Sequence, residues 1–177
     1  MTTRYIGIDP GSKGAIVAID SDNNVLQLCD LSKSYMDYWI IMNDWEDWEG
    51  RWDRTDVAVE DVCGRPGQSC QANTTFMKLA GMAELAAYSL DSSMTLVKPQ
   101  IWKKHFGLIT KGLTKTQRKH LSIELAKKLY PSVADQLTAS KDGRAEALLI
   151  ARYIKDVQEN ARVNEESKPD CRETAED

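Results

Sequence analysis

Four acids of this 177-residue chain have the types and settings that divalent-metal chemistry on phosphodiesters requires. Asp9 closes a short apolar run, Tyr5-Ile6-Gly7-Ile8, and is followed by Pro10-Gly11-Ser12. Glu60 closes a second run, Val57-Ala58-Val59. Asp142 and Glu146 open a late apolar pattern that continues Ala147-Leu148-Leu149-Ile150-Ala151. Open α/β sheets carry their chemistry at strand carboxyl ends. Hard cations such as Mg²⁺ take carboxylate oxygens, and two such ions steady the attacking and leaving oxygens of an in-line displacement. Each acid also has a plainer reading. Asp9-Pro10-Gly11 is a common turn, and Asp142 suits a helix N-cap. Glu60 is harder to explain away, because an acid directly after Val-Ala-Val needs a partner or a role.

The elements that must position these acids are legible from periodicity. Arg4–Ile8 and Ala15–Ile19 read as hairpin strands, and Asp20-Ser21-Asp22-Asn23-Asn24 as a turn into a third strand, Val25–Cys29. Tyr38, Ile41, Trp45 and Trp48 recur at helical spacing and predict packing positions, with Asp44, Glu46, Asp47 and Glu49 facing water. Asp56–Val59 is a buried strand, and Cys63–Ser69 a loop rich in breakers. A helix starts at Thr74 or Thr75 and runs through Phe76, Leu79, Ala83 and Ala87, and Thr95–Val97 is the last strand. A basic segment, Lys98–Phe106, leads to a helix from Thr114 to Leu129, stopped by Pro131, and the final helix begins near Asp142. The order predicts an α/β fold: a mixed five-stranded sheet with helices on both faces, strands one and four adjacent. The ends of those strands and the start of the last helix then meet. Residues 1–155 form the expected domain. From Asp156 on, eight acids, three bases and few large apolar residues predict a disordered tail.

Composition narrows the class. The length suits one domain with a real core, no run is long and apolar enough to span a membrane, and the chain enters a strand at once, without a signal peptide. Cys29, Cys63, Cys70 and Cys171 form no CxxC pair and read as reduced thiols of a cytoplasmic protein. The net charge of −4 hides an asymmetry. Lys98 to Lys128 holds nine basic residues against the single acid Glu124, a local +8, so the remainder carries −12. Lys103, Lys104, Lys111, Lys115, Arg118 and Lys119, with Trp102 and Phe106 interleaved, form a candidate phosphate-contacting surface for DNA. A solvated helix face is the plainer reading.

Together these residues resemble the RuvC-type Holliday-junction resolvases of the ribonuclease H-like fold, most of all their divergent phage and viral members. Ile6-Gly7-Ile8-Asp9-Pro10-Gly11-Ser12 is similar to the family's opening strand motif, and Val57-Ala58-Val59-Glu60 to its second acidic strand. Val97–Lys104 is similar to the region after the last strand, and Ala145–Ala151 to the final helix. The resemblance implies a homodimer that binds four-way DNA junctions and makes paired nicks with Mg²⁺ or Mn²⁺. It implies that Asp9 and Glu60 ligate metal, that Glu146 is the last catalytic acid, and that Lys103 and Lys115 lie along DNA. The family's final pair of acids is three residues apart; here Gly143 holds the earlier position and Asp142 is the nearest acid. Some relatives carry an aromatic shortly after the second acid, where this chain has Cys63.

The expected site therefore has Asp9, Glu60, Asp142 and Glu146 holding two ions. The helix around Gly81–Ala87 is the expected dimer surface. Flap or branched-DNA cleavage, a non-cleaving DNA-binding module, and an actin- or sugar-kinase-like ATPase using Asp9-Pro10-Gly11-Ser12 remain alternatives. The ATPase fold needs a second lobe and a second phosphate loop, and neither is legible.

Overall fold

The computed structural model describes residues 2–36, 38, 39, 43, 52–64, 67–90 and 93–166. Five strands form one sheet: β1 (Thr3–Asp9), β2 (Ala15–Asp20), β3 (Val25–Asp30), β4 (Arg54–Glu60) and β5 (Ser93–Val97). Their order is β3-β2-β1-β4-β5. The hairpin strands pair antiparallel, while β4 pairs parallel with β1 and with β5. Among the described residues four α-helices have defined bounds, α1 (Cys70–Ser89), α2 (Pro99–His105), α3 (Lys115–Leu129) and α4 (Asp142–Glu166), with short 3-10 turns at Pro131–Gln136 and Ala139–Lys141 between α3 and α4. This is the mixed five-stranded sheet of the ribonuclease H-like fold.

Strand alternation divides the core in two. Tyr5, Val17, Ile19 and Ala58 face α3 and α4, packing with Leu148, Leu149 and Ile154. Ile6, Ile8, Ile16, Val57 and Val59 face the other way, onto Leu79, Ala83 and Ala87 of α1. Each fully buried Leu or Ile contributes about 1.5–3 kcal/mol. Ile8 pairs with Val59, so the next residues, Asp9 and Glu60, end neighbouring strands on the α4 face. Gly7 lets the helix in. A Cβ there would overlap the backbone of Ala147 and Ala151, so only glycine allows α4 to lie directly on β1.

Several boundaries differ from those expected. The α1 helix starts at Cys70 because Ser69 accepts a hydrogen bond from the Ala72 amide and caps it. Lys98–Phe106 is not only a basic segment: Pro99 at the first helical position starts α2. The α4 helix does not stop at 155 but runs to Glu166. Arg162 reaches the fully buried Asp56, which also pairs with Arg54, and Lys155 pairs with Glu159. The stretch 156–166, where a disordered tail was expected to begin, is thus helical, and from it Arg162 and Gln158 reach back to Asp56 and Arg54. Of the aromatic segment, Tyr38 is helical and buried. Ile41, Trp45, Trp48 and the four acids near them lie outside the described residues.

Candidate active site

Asp9, Glu60 and Glu146 meet where β1, β4 and α4 come together. Each offers a carboxylate oxygen, and these oxygens lie within 4.8 Å of one another. Glu60 is buried, while Asp9 and Glu146 are half-buried. Burial pushes the Asp9 carboxyl well above the usual range, and the charges of Glu146 and Glu60 push it further; Lys103 opposes them. Such a cluster repels itself until positive charge arrives. Behind it, the Tyr38 hydroxyl is pushed up to about 12, first by burial and then by Asp9.

Two lysines already face acids of the site. Lys103 Nζ lies 3.2 Å from Glu146 Oε1, and Lys119 pairs with Asp142. Asp142 has helical backbone angles, so it is the first residue of α4 and not its N-cap. It lines the same cleft, but among the described residues the carboxylate cluster comprises Asp9, Glu60 and Glu146 without it. Its neighbour Gly143 explains why no acid stands there. A Cβ at 143 would overlap the Lys13 carbonyl oxygen and lie 3.0 Å from Asp9 Oδ2, leaving no room for a carboxylate. The start of α4 is pinned from outside by Arg144, whose Nη2 donates to Asp30 Oδ2 at 2.9 Å. Arg144 holds the Asp30 carboxyl below its ordinary value.

The acids sit in a cleft of about 860 Å³. Lys115, Arg118 and Lys119 of α3 and Lys103 of α2 form a basic wall. Gln68, Ala72 and Phe76, from the start of α1 and the loop before it, add uncharged lining. Thr114 caps α3 with a capping box, so Lys115 and Arg118 are presented from an ordered first turn.

No protein-family model matches the sequence, and no curated protein matches it. Solved structures do. RuvC of T. thermophilus, determined in complex with Holliday junction substrate, superposes with a TM-score of 0.56 at 14% identity, over 92% of this chain and 96% of that one. A second Thermus thermophilus RuvC structure superposes with a TM-score of 0.52 at 14% identity, over 93% and 97% of the two chains. The chain has the RuvC fold.

On that RuvC fold the expected site residues separate. Asp9, Glu60 and Glu146 converge; Asp142 stands beside them, engaged by Lys119. Of the six expected DNA-binding residues, Lys103, Lys115, Arg118 and Lys119 line the cleft, whereas Lys104 and Lys111 are exposed outside its lining. Trp102 does not interleave with them at a surface. It is fully buried, and its Nε1 donates to Glu60 Oε1 at 3.0 Å. Phe106 is half-buried against the same core. Cys63 is exposed, and Phe76 is the aromatic that lines the cleft among the described residues. Helical spacing marked Phe76 as a packing position; nothing in the spacing signalled that it would face the acids.

Proposed function

We propose that this chain is a metal-dependent, structure-selective DNA endonuclease that resolves four-way junctions by paired nicks. The observation that carries this reading is the cluster of Asp9, Glu60 and Glu146, with oxygens within 4.8 Å, at the foot of a basic wall on the RuvC fold. The donor set fits a hard divalent cation: all carboxylate, partly buried, and self-repelling without one. Asp9, Glu60 and Glu146 would hold the Mg²⁺ or Mn²⁺ ions, with Asp142, which pairs with Lys119, just outside their ligands. Such ions, when bound, lower the pKa of water and stabilise charge on the leaving 3′ oxygen.

The chain's own groups do the rest. Lys115 and Arg118 offer phosphate contacts that carry no sequence information and are weakened by salt. Lys103 and Lys119 join them as phosphate displaces their carboxylate partners. A two-fold junction presents two equivalent strands, which a homodimer would engage with two equivalent sites. Within the expected dimer helix, Ala83, Ala86 and Ala87 pack inward on the sheet, while Leu85 and Tyr88 are 63% and 74% exposed. That outward face of α1 is the surface we propose for the second copy. Light scattering with and without a junction checks the dimer. No helix among the described residues is long and apolar enough to cross a membrane.

The deciding experiment offers fixed four-way junctions, flaps and plain duplex with Mg²⁺. Symmetric paired nicks in the junction, absent in Asp9→Asn, are expected. Equal cutting of flaps would favour a broader branched-DNA nuclease. Cutting that survives Asp9→Asn, or junction binding without cutting by the wild type, would overturn the reading.

A further inference from the structure

Trp102 is the largest fully buried side chain of the described residues, yet its volume alone does not explain it. Its indole carries a donor that burial would orphan without a partner. That partner is Glu60 Oε1, at 3.0 Å. The hydrogen bond itself is buried, so water does not compete for it. The local fold sets this up. The Asp61 amide donates to the Val97 carbonyl at 2.8 Å, locking the ends of β4 and β5 together. Pro99 then starts α2 immediately beyond β5, which brings Trp102 back over the end of β4. One face of the ring is occupied by the Lys103 ammonium, 4.7 Å from the ring centroid.

We propose that Trp102 is a positioning residue of the metal site: its Nε1–H fixes Glu60 through one oxygen and turns the other toward Asp9 and Glu146. A glutamate has three side-chain torsions, and a buried hydrogen bond to one carboxylate oxygen restricts how the other is presented. Outer hydrogen bonds of this kind set ligand orientation, and losing one lowers metal affinity by about 10–100-fold. The inference rests on the metal-site reading above and concerns what holds one of its ligands.

Trp102→Phe keeps a ring in the core and a face for Lys103 but removes the donor. Mn²⁺ binding is measured by calorimetry on the full chain without DNA, for wild type, Trp102→Phe and Asp9→Asn. The expected result is strong binding by wild type, loss in Asp9→Asn, and binding weakened about 10–100-fold in Trp102→Phe. Wild-type affinity, within two-fold, in a folded Trp102→Phe would overturn the inference and leave the metal site standing. Failure of wild type itself to bind Mn²⁺ would sink the metal reading and this inference with it. Should Trp102→Phe fail to fold, the wild type decides alone. The assigned Trp102 indole N–H resonance of the wild type is expected to shift as Mg²⁺ saturates the site. An indole resonance unmoved at saturating Mg²⁺ would show that Glu60 is not held through Trp102.

Discussion

Lys103 Nζ lies 3.2 Å from Glu146 Oε1, so the free protein already rests a cation against one of its three clustered carboxylates. The same ammonium lowers the cost of ionising Asp9. Lys103 thus sits where charge is most needed and, as a lining residue of the cleft, where a phosphate would also draw it.

Lys103→Met separates those two tasks. The metal-free protein should melt lower than wild type, because three acids lose their internal counter-charge. The rise in melting temperature on adding Mn²⁺ should then exceed that of wild type. Junction binding in Ca²⁺ should show a slope of log affinity against log salt reduced by about 0.9. A normal salt slope would mean that Lys103 stays on Glu146 when DNA arrives.

Asp9 carries a pH signature of unusual sign. Its carboxyl titrates well above 3.8 in the fold, from burial first and the Glu146 and Glu60 charges next. A raised carboxyl favours the protonated native state. Below the unfolded value Asp9 costs nothing; as pH rises from there to the folded pKa, it progressively destabilises the metal-free protein. Asp9→Asn should remove that part of the pH dependence. Its metal-free melting temperature at neutral pH should rise, by about 2–4 °C for each kcal/mol relieved. Because binding releases the proton, wild-type Mg²⁺ affinity should increase with pH over the same interval. A metal-free melting temperature lowered by Asp9→Asn would contradict this account.

The Lys119–Asp142 pair sets a different expectation for the fourth acid. Asp9→Asn, Glu60→Gln and Glu146→Gln should each lower cleavage by orders of magnitude. Asp142→Asn should cost less, about ten-fold, because it alters a group beside the ligands and not a ligand itself. It should also free Lys119 and tighten non-specific duplex binding at low salt. Loss of cleavage equal to that of Asp9→Asn, with a raised Mg²⁺ requirement, would instead place Asp142 among the ligands of the working state.

The strand ends and faces were legible because a two-residue period leaves little choice: once Ile8 and Val59 are core, Asp9 and Glu60 must share the opposite face. The sharing of α4 by Glu146 and the apolar core was legible for the same reason at helical spacing. Trp102 was not. In sequence it stands between basic residues and reads as surface, and only the return of α2 over β4 turns it inward. The separation of Asp142 from the other acids was equally hidden, because a one-residue difference along α4 matters only once Lys13 and Asp9 crowd Gly143. Composition misled at 156–166, where acids paired one turn apart look the same as acids in solution.

That last segment gives the final expectation. Asp56 is fully buried, paired to Arg54 Nη2 at 2.8 Å and to Arg162 Nη2 at 3.4 Å, and Arg54 also donates to Gln158 at 3.2 Å. Truncation after Lys155 removes Arg162 and Gln158 and leaves a buried charge with less compensation. It should cost about 1–3 kcal/mol through the charged hydrogen bonds alone. Arg162→Gln should reproduce part of the loss. Truncation after Glu166 keeps all of these partners and should retain their contribution. Urea unfolding of the three variants decides it. If the chain ending at Lys155 were as stable as wild type, the contacts of Asp56 would carry no net stability and the domain would end where composition first placed it.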